Sequence, residues 1–155
     1  MAREGLAPPR CTLADVLVFD IKLILCDAAQ ADPNGKIHML GAGWSITGTP
    51  TTPQAVAMLI KVPWDHANQR IGGMLQLRDA HGHAVELETS PGKEELIGNE
   101  FELEVGRPAG PTHDNMIDAA MAVNIGPMPL PPGRYQWRLD MSDQMQSVSF
   151  TVVDC

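Results

Sequence analysis

Apolar and polar residues alternate with a period of two along most of the chain. In 16–27 (VLVFDIKLILCD), Phe19, Ile21, Leu23 and Leu25 share one face, and Asp20, Lys22, Ile24 and Cys26 the other. This alternation, rich in β-branched residues, predicts a strand. Asp32-Pro33-Asn34-Gly35 follows: proline presets a type I turn and Gly35 supplies a left-handed residue, so a bulged hairpin is expected. Its return strand, 36–47, carries Gly41 and Gly43 just before Trp44, a pattern of bulges or close backbone approach. Residues 55–62 (AVAMLIKV) are apolar on both faces except for Lys61, as in a central strand, and 63–68 suit one helical turn begun by Pro63. A second hairpin is expected from 74–79 and 84–88 around Ala80-His81-Gly82-His83, and another turn at Ser90-Pro91-Gly92-Lys93. Strands are further predicted over 99–105, 116–125, 134–141 and 147–153, with a short helix over 116–121 as the alternative for the second of these.

About eight short strands separated by turn signals, with no long helical stripe, indicate an all-β antiparallel sandwich or barrel rather than a doubly wound nucleotide fold. The two proline-rich loops fall within one alternating pattern, so a single domain is expected over 16–155. It is preceded by an extended N-terminal arm, 1–15, in which Pro8-Pro9 interrupts helix and sheet alike.

Charge narrows the partners. The 155 residues hold 19 Asp+Glu against 11 Lys+Arg, a net charge of −8, which argues against nucleic acid and anionic membranes, since both need clustered Lys/Arg. No stretch approaches the length of a membrane span, and Met1–Arg10 lacks the apolar region of a signal peptide. Seven of the eight glutamates lie between Glu86 and Glu104, which reads first as a solvated strand face and second as a Ca²⁺ site or a dock for a basic partner. Arg134 and Arg138, on the polar side of their strand, are expected to pair across to that acidic face. Cys11, Cys26 and Cys155 are an odd number without a C-x-x-C pair, so three free thiols in a reducing compartment are expected.

Candidate chemistry is sparse. His81-x-His83 with Glu88 has metal-ligand residue types at strand spacing and resembles the first motif of the cupins. The cupins take their last histidine from a later strand near a P-x-G turn. The matching stretch here, Pro131-Pro132-Gly133-Arg134-Tyr135-Gln136, has none, so exposed turn histidines are the stronger reading and no metal or other cofactor is expected. No G-x-S-x-G, S-x-x-K or P-loop occurs. Asp65-His66 are adjacent with no serine singled out, and Gly41-Ala42-Gly43 reads as packing under Trp44. Trp44, Trp64 and Trp137 read as core or loop packing, unless Trp64 stands exposed on its loop as an interaction site.

The segments Leu25-Cys26-Asp27-Ala28-Ala29-Gln30, Gly35-Lys36, Leu40-Gly41-Ala42-Gly43-Trp44, Val62-Pro63-Trp64 and Leu130-Pro131-Pro132-Gly133-Arg134-Tyr135-Gln136-Trp137, in this order and spacing, resemble a family of small uncharacterised proteins of actinobacteria and their phages. The resemblance carries no catalytic residue. The ending, P-G-x-Y, a strand, a turn and an F-x-V strand, is similar to the last hairpin of immunoglobulin-like sandwiches and implies that fold. The expected function is therefore binding rather than catalysis. Its specific form is a phage virion accessory protein, such as a capsid decoration protein, with the major capsid protein or a second copy as partner. The virion would be its location if phage-encoded, and the cytoplasm otherwise. Arg3, Pro8, Pro9, Arg10, Trp64, Arg107, Pro108 and Pro129 are the candidate partner-binding residues. A cytoplasmic ligand-binding or regulatory module is the first alternative, and a cupin-like metal-dependent enzyme the second.

Overall fold

The computed structural model describes residues 19–107 and 116–154. The arm with Arg3, Pro8, Pro9 and Arg10, and Cys11, Pro108, His113 and Cys155, lie outside the described residues. The described chain is all-β. Strands β1 (Asp20–Cys26), β5 (Gln54–Val62) and β10 (Ile117–Ile125) form an antiparallel three-stranded sheet in the order β1-β5-β10. Strands β4 (Ile46–Thr47), β12 (Gln144–Val152), β11 (Gly133–Met141), β6 (Ile71–Asp79) and β9 (Gly98–Leu103) form a five-stranded sheet in that order. Two hairpins complete the set, β2 (Ala28–Ala31) with β3 (Ile37–Leu40) and β7 (Glu86–Ser90) with β8 (Lys93–Leu96).

The two larger sheets share one core because alternate residues of each strand point inward. From the three-stranded sheet come Ile21, Leu25, Val56, Met58, Ile60 and Ala119. From the five-stranded sheet come Leu75, Leu77, Trp137, Leu139 and Phe150. Burying each large aliphatic side chain contributes about 1.5–3 kcal/mol, so this core dominates the stability. The residues 55–62 are apolar on both faces for a second reason: Ala55, Ala57 and Cys26 face outward under the β2–β3 hairpin, packed by Ile24, Ala29, Ile37 and Met39. Their small size lets the hairpin lie close. Gly35 (φ +85°) sits at its tip, where a Cβ would stand 2.6 Å from the Asp118 carbonyl oxygen.

Several expected strands are cut or moved. The return strand predicted over 36–47 is broken: β3 stops at Leu40, and Gly41 (φ +64°) turns the chain where a Cβ would run into the Asp27 carboxylate. That close approach is to Asp27, not to Trp44, which instead packs edge-on against Phe150 at 5.6 Å. After the break, β4 pairs in parallel with β12, so the sheets are not purely antiparallel. The strand at 84–88 returns along β6 only at its start, through the Arg78–Ala84 bridge and the Val85 N–H to Leu77 carbonyl bond (3.0 Å); from Glu86 on, β7 pairs with β8. Residues 117–125 are strand, not helix, and Trp64–His66 form a single 3-10 turn after Pro63.

The β1 edge is tied down. The Gln144 amide accepts from the Phe19 N–H at 2.6 Å and donates to the Phe19 carbonyl at 2.9 Å, and Gln146 donates to the Ile21 carbonyl at 3.0 Å. The opposite side, between the edge strands β9 and β10, carries a cleft lined by both strands. On β9, Phe101 fills the space over Gly73 of β6, where a Cβ would run into the Phe101 ring.

Candidate functional site

The most distinctive surface is the segment between β10 and β11. Along Pro127-Met128-Pro129-Leu130-Pro131, exposure alternates: Met128 and Leu130 are buried, whereas the three prolines are exposed. The segment is pinned from both sides. The Thr51 N–H donates to the Met128 carbonyl (2.9 Å), the Met128 N–H to the Thr51 hydroxyl (2.9 Å), and the Thr49 hydroxyl to the Leu130 carbonyl (2.7 Å). Thr51 itself is buried. At the far end the Tyr135 hydroxyl donates to the Pro131 carbonyl at 2.8 Å. Its phenol is held above the usual range by burial and then by the Asp79 charge, so it remains a donor at neutral pH. The segment 127–132, with Pro129 as its named residue, is a docking candidate from the sequence alone; the anchors Met128 and Leu130 and the clamp residues Thr49 and Thr51 carry no local signal there.

Trp64 and Arg107 come together. Trp64 is half-buried against the core, and the exposed Arg107 guanidinium lies over its ring at 5.1 Å. Arg107 also donates from Nε (3.3 Å) and Nη2 (3.2 Å) to the Trp64 carbonyl. The indole is thus covered by a cation rather than standing bare on its loop, and the pair gains by cation–π attraction.

The His81/His83 stretch is a turn built by Asp79. Its carboxylate accepts the backbone N–H of His81 (2.9 Å) and His83 (3.0 Å), and the Asp79 N–H donates to the His83 carbonyl (2.9 Å). Those bonds hold the Asp79 carboxyl below its ordinary value: the His83 N–H is the largest cause, partly opposed by desolvation. Both imidazoles are exposed, with ring centroids 6.3 Å apart, and Glu88 belongs to the separate β7–β8 hairpin. Among the described residues, no three His, Cys, Asp or Glu side chains are grouped to hold a metal.

Arg138 does not reach the glutamates. Its guanidinium binds Asp140, two residues on and on the same strand face, at 3.0 Å. The reason is register: Arg138 sits beside Gln76 of β6, whereas Glu100 and Glu102 of β9 lie beyond Met74 and Gly72. The Cys26 thiol is pushed up by burial and then by the Asp27 charge, the opposite of what a reactive thiolate needs.

A family model matches residues 22–153, nearly the whole described chain. The chain belongs to DUF6941, a family of unknown function. No curated protein matches it. Among solved structures, it is similar to a Pseudomonas fluorescens alkylpurine DNA glycosylase, AlkC, bound to DNA containing an abasic site analog. The TM-score is 0.40 at 12% identity, over 86% of this chain and 30% of that one. The chain therefore spans under a third of that protein's length, and at this distance the likeness carries no argument about activity. Among the described residues, no helix is long and apolar enough to cross a membrane.

Proposed function

We propose that this DUF6941 protein is a binding module that docks on a larger protein assembly, and that it performs no chemistry of its own. The observation that carries this reading is the pinned proline ridge. Pro127, Pro129 and Pro131 are presented outward by a segment whose alternate residues are fixed in the core. Proline-rich surfaces bind partners at low entropic cost because they are rigid before contact. Here the Thr49, Thr51 and Tyr135 hydrogen bonds add to that rigidity.

The finer fold reading is an immunoglobulin-like sandwich. It is supported by the two facing sheets and by the Tyr135-to-Pro131 bond, which has the form of a tyrosine corner: a hydroxyl near a strand start bonded to backbone a few residues upstream. The specific role is that of an actinobacteriophage virion accessory protein, such as a capsid decoration protein, with the major capsid protein or a second copy as partner. The body's net charge of −8 suits a solvated exterior component that avoids nucleic acid. Mass spectrometry of density-purified virions from the source tests that role. The polypeptide is expected at a constant ratio to the major capsid protein, and its absence from intact particles overturns the virion assignment.

A further inference from the structure

The two sheets are unequal on the open side of the body. The Gln54 side chain of β5 accepts the Trp137 indole N–H of β11 at 2.9 Å, and Gln144 of β12 holds Phe19 at the head of β1. These bonds set β1 beside β12 and β5 over β11, so β10 falls over β6, and no strand among the described residues faces β9. Phe101 and Leu103 of β9, and Ile97 just before it, pack on the core yet stay only half-buried. Grooves follow β10 along this uncovered face. One of about 390 Å³ lies beside 117–120 with 103–106 opposite, and one of about 580 Å³ lies beside 122–126 with 96–99 opposite.

The edge of β10 is unpaired backbone. The Leu25 carbonyl accepts the Gly43 N–H and the Ile21 carbonyl accepts from Gln146, so these residues of β1 turn away from β5. Val56, opposite Leu25, then turns toward β10 and bonds with Val123. By alternation Asp118, Ala120, Ala122 and Asn124 point their N–H and C=O out of the sheet, with no backbone partner among the described residues. The other edges are protected: β4 is two residues long, β9 carries Glu100 and Glu102, and β1 is bonded by Gln144 and Gln146. β10 runs for nine residues with no proline, an unbroken register and a single charge, Asp118.

We propose that an extended segment of a partner protein adds to β10 here, as the antiparallel fourth strand of the smaller sheet. Unpaired strand-edge groups specify a strand as the occupant. The half-buried Ile97, Phe101 and Leu103 are covered by apolar side chains at alternate positions on its inner face. Charge sets its direction. Asp32, Glu104 and Asp118 line the groove beside 117–120 with no Lys or Arg among the lining residues, although Lys61 and Arg70 reach two of them from outside. No charged residue lines the groove beside 122–126. An antiparallel strand brings its C-terminal end to the three carboxylates, where a Lys or Arg is matched. Pairing with a second copy's β10 is opposed by the same overhang, because each β9 would meet the other copy's β6. The inference rests on the docking reading only for a protein as partner; it uses no ridge residue, so each can fail alone.

The test titrates the full chain with a fluorescein-labelled, amidated nonapeptide in which threonine and valine alternate and the ninth residue is lysine. Anisotropy is expected to show saturable one-to-one binding. Backbone hydrogen exchange of Ala120 and Ala122 is expected to slow by about tenfold or more. Opposite residues share a face, so the threonines stand opposite the outward-pointing residues of β10 and the valines face the core. N-methylation of the threonines is therefore expected to weaken binding by about tenfold or more, and N-methylation of the valines to leave it nearly unchanged. Glutamate in place of the lysine is expected to weaken binding. Ala120→Pro removes an outward N–H and is expected to abolish binding; where that variant fails to fold, the methylated peptides decide. No saturable binding, equal effects of the two methylation patterns, undiminished binding of the glutamate peptide, or protection confined to β9 would each overturn the proposal. So would a dimer in sedimentation that Ala120→Pro abolishes, since a second copy would then be the occupant.

Discussion

Leu130→Ala probes the anchoring on which the docking reading depends. Leu130 is fully buried, belongs to the main core, and its own carbonyl is held by the Thr49 hydroxyl. Truncation to alanine removes the lost transfer energy and leaves a cavity, together about 2–5 kcal/mol in well-packed cores. The backbone on either side is fixed by hydrogen bonds to Thr49 and Thr51, so the segment cannot sink to fill the void, and a cost of about 3 kcal/mol is expected. For a domain of this size each kcal/mol shifts the melting temperature by roughly 2–4 °C, giving a drop of roughly 6–12 °C. Pro129→Ala, one residue away but exposed, should cost under about 1 kcal/mol, mostly through greater freedom of the unfolded chain. Urea unfolding of the two variants, with the slope m checked for constancy, measures both. A Leu130→Ala loss under about 1 kcal/mol, or a Pro129→Ala loss equal to it, refutes the inward–outward alternation and the rigid ridge with it.

Three further outcomes are expected. Tyr135→Phe, which deletes only the hydroxyl bonded to Pro131, should cost about 1 kcal/mol by the same unfolding assay. Gly73→Ala should destabilise by about 1–3 kcal/mol because its Cβ meets the Phe101 ring, and a double-mutant cycle with Phe101→Leu should recover part of the loss. Asp79 has a lowered folded pKa, so its contribution is present above its unfolded value near pH 3.9 and is lost as the pH falls through the folded value. Asp79→Asn should therefore flatten that part of the acid limb in a pH series of melting temperatures.

Most strands were legible because one-sided burial writes itself as alternation: Tyr135, Trp137, Leu139 and Met141 all face the core as their spacing implies. Pairing was less legible. Nothing local in 84–88 distinguishes pairing with β6 from pairing with β8, since Val85 and Leu87 alternate equally well for both, and the choice is made by Ile97, whose N–H donates to the Val85 carbonyl. The turn at 32–35 was expected, but as the link between the 16–27 strand and 36–47; instead β1 pairs with β5, and the short β2 pairs with β3 in a hairpin that covers the outer face of β5, of which the small residues Ala55, Ala57 and Cys26 were the trace in the sequence. Among the functional candidates, Trp64 and Arg107 were chosen separately, 43 positions apart, and only the fold shows that they form one stacked pair. Gln54, whose Oε1 accepts the buried Trp137 indole N–H at 2.9 Å, left no local signal, because its partner is 83 positions away.

Co-sedimentation of the purified protein with purified capsid shells, compared between the natural chain and a Pro127→Ala/Pro129→Ala variant of matched stability, addresses the central claim most directly. The account predicts saturable binding of the natural chain and a clear loss of binding in the variant, since the ridge is exposed and its anchors are untouched. Undiminished binding by the variant, or no binding by either chain, contradicts it.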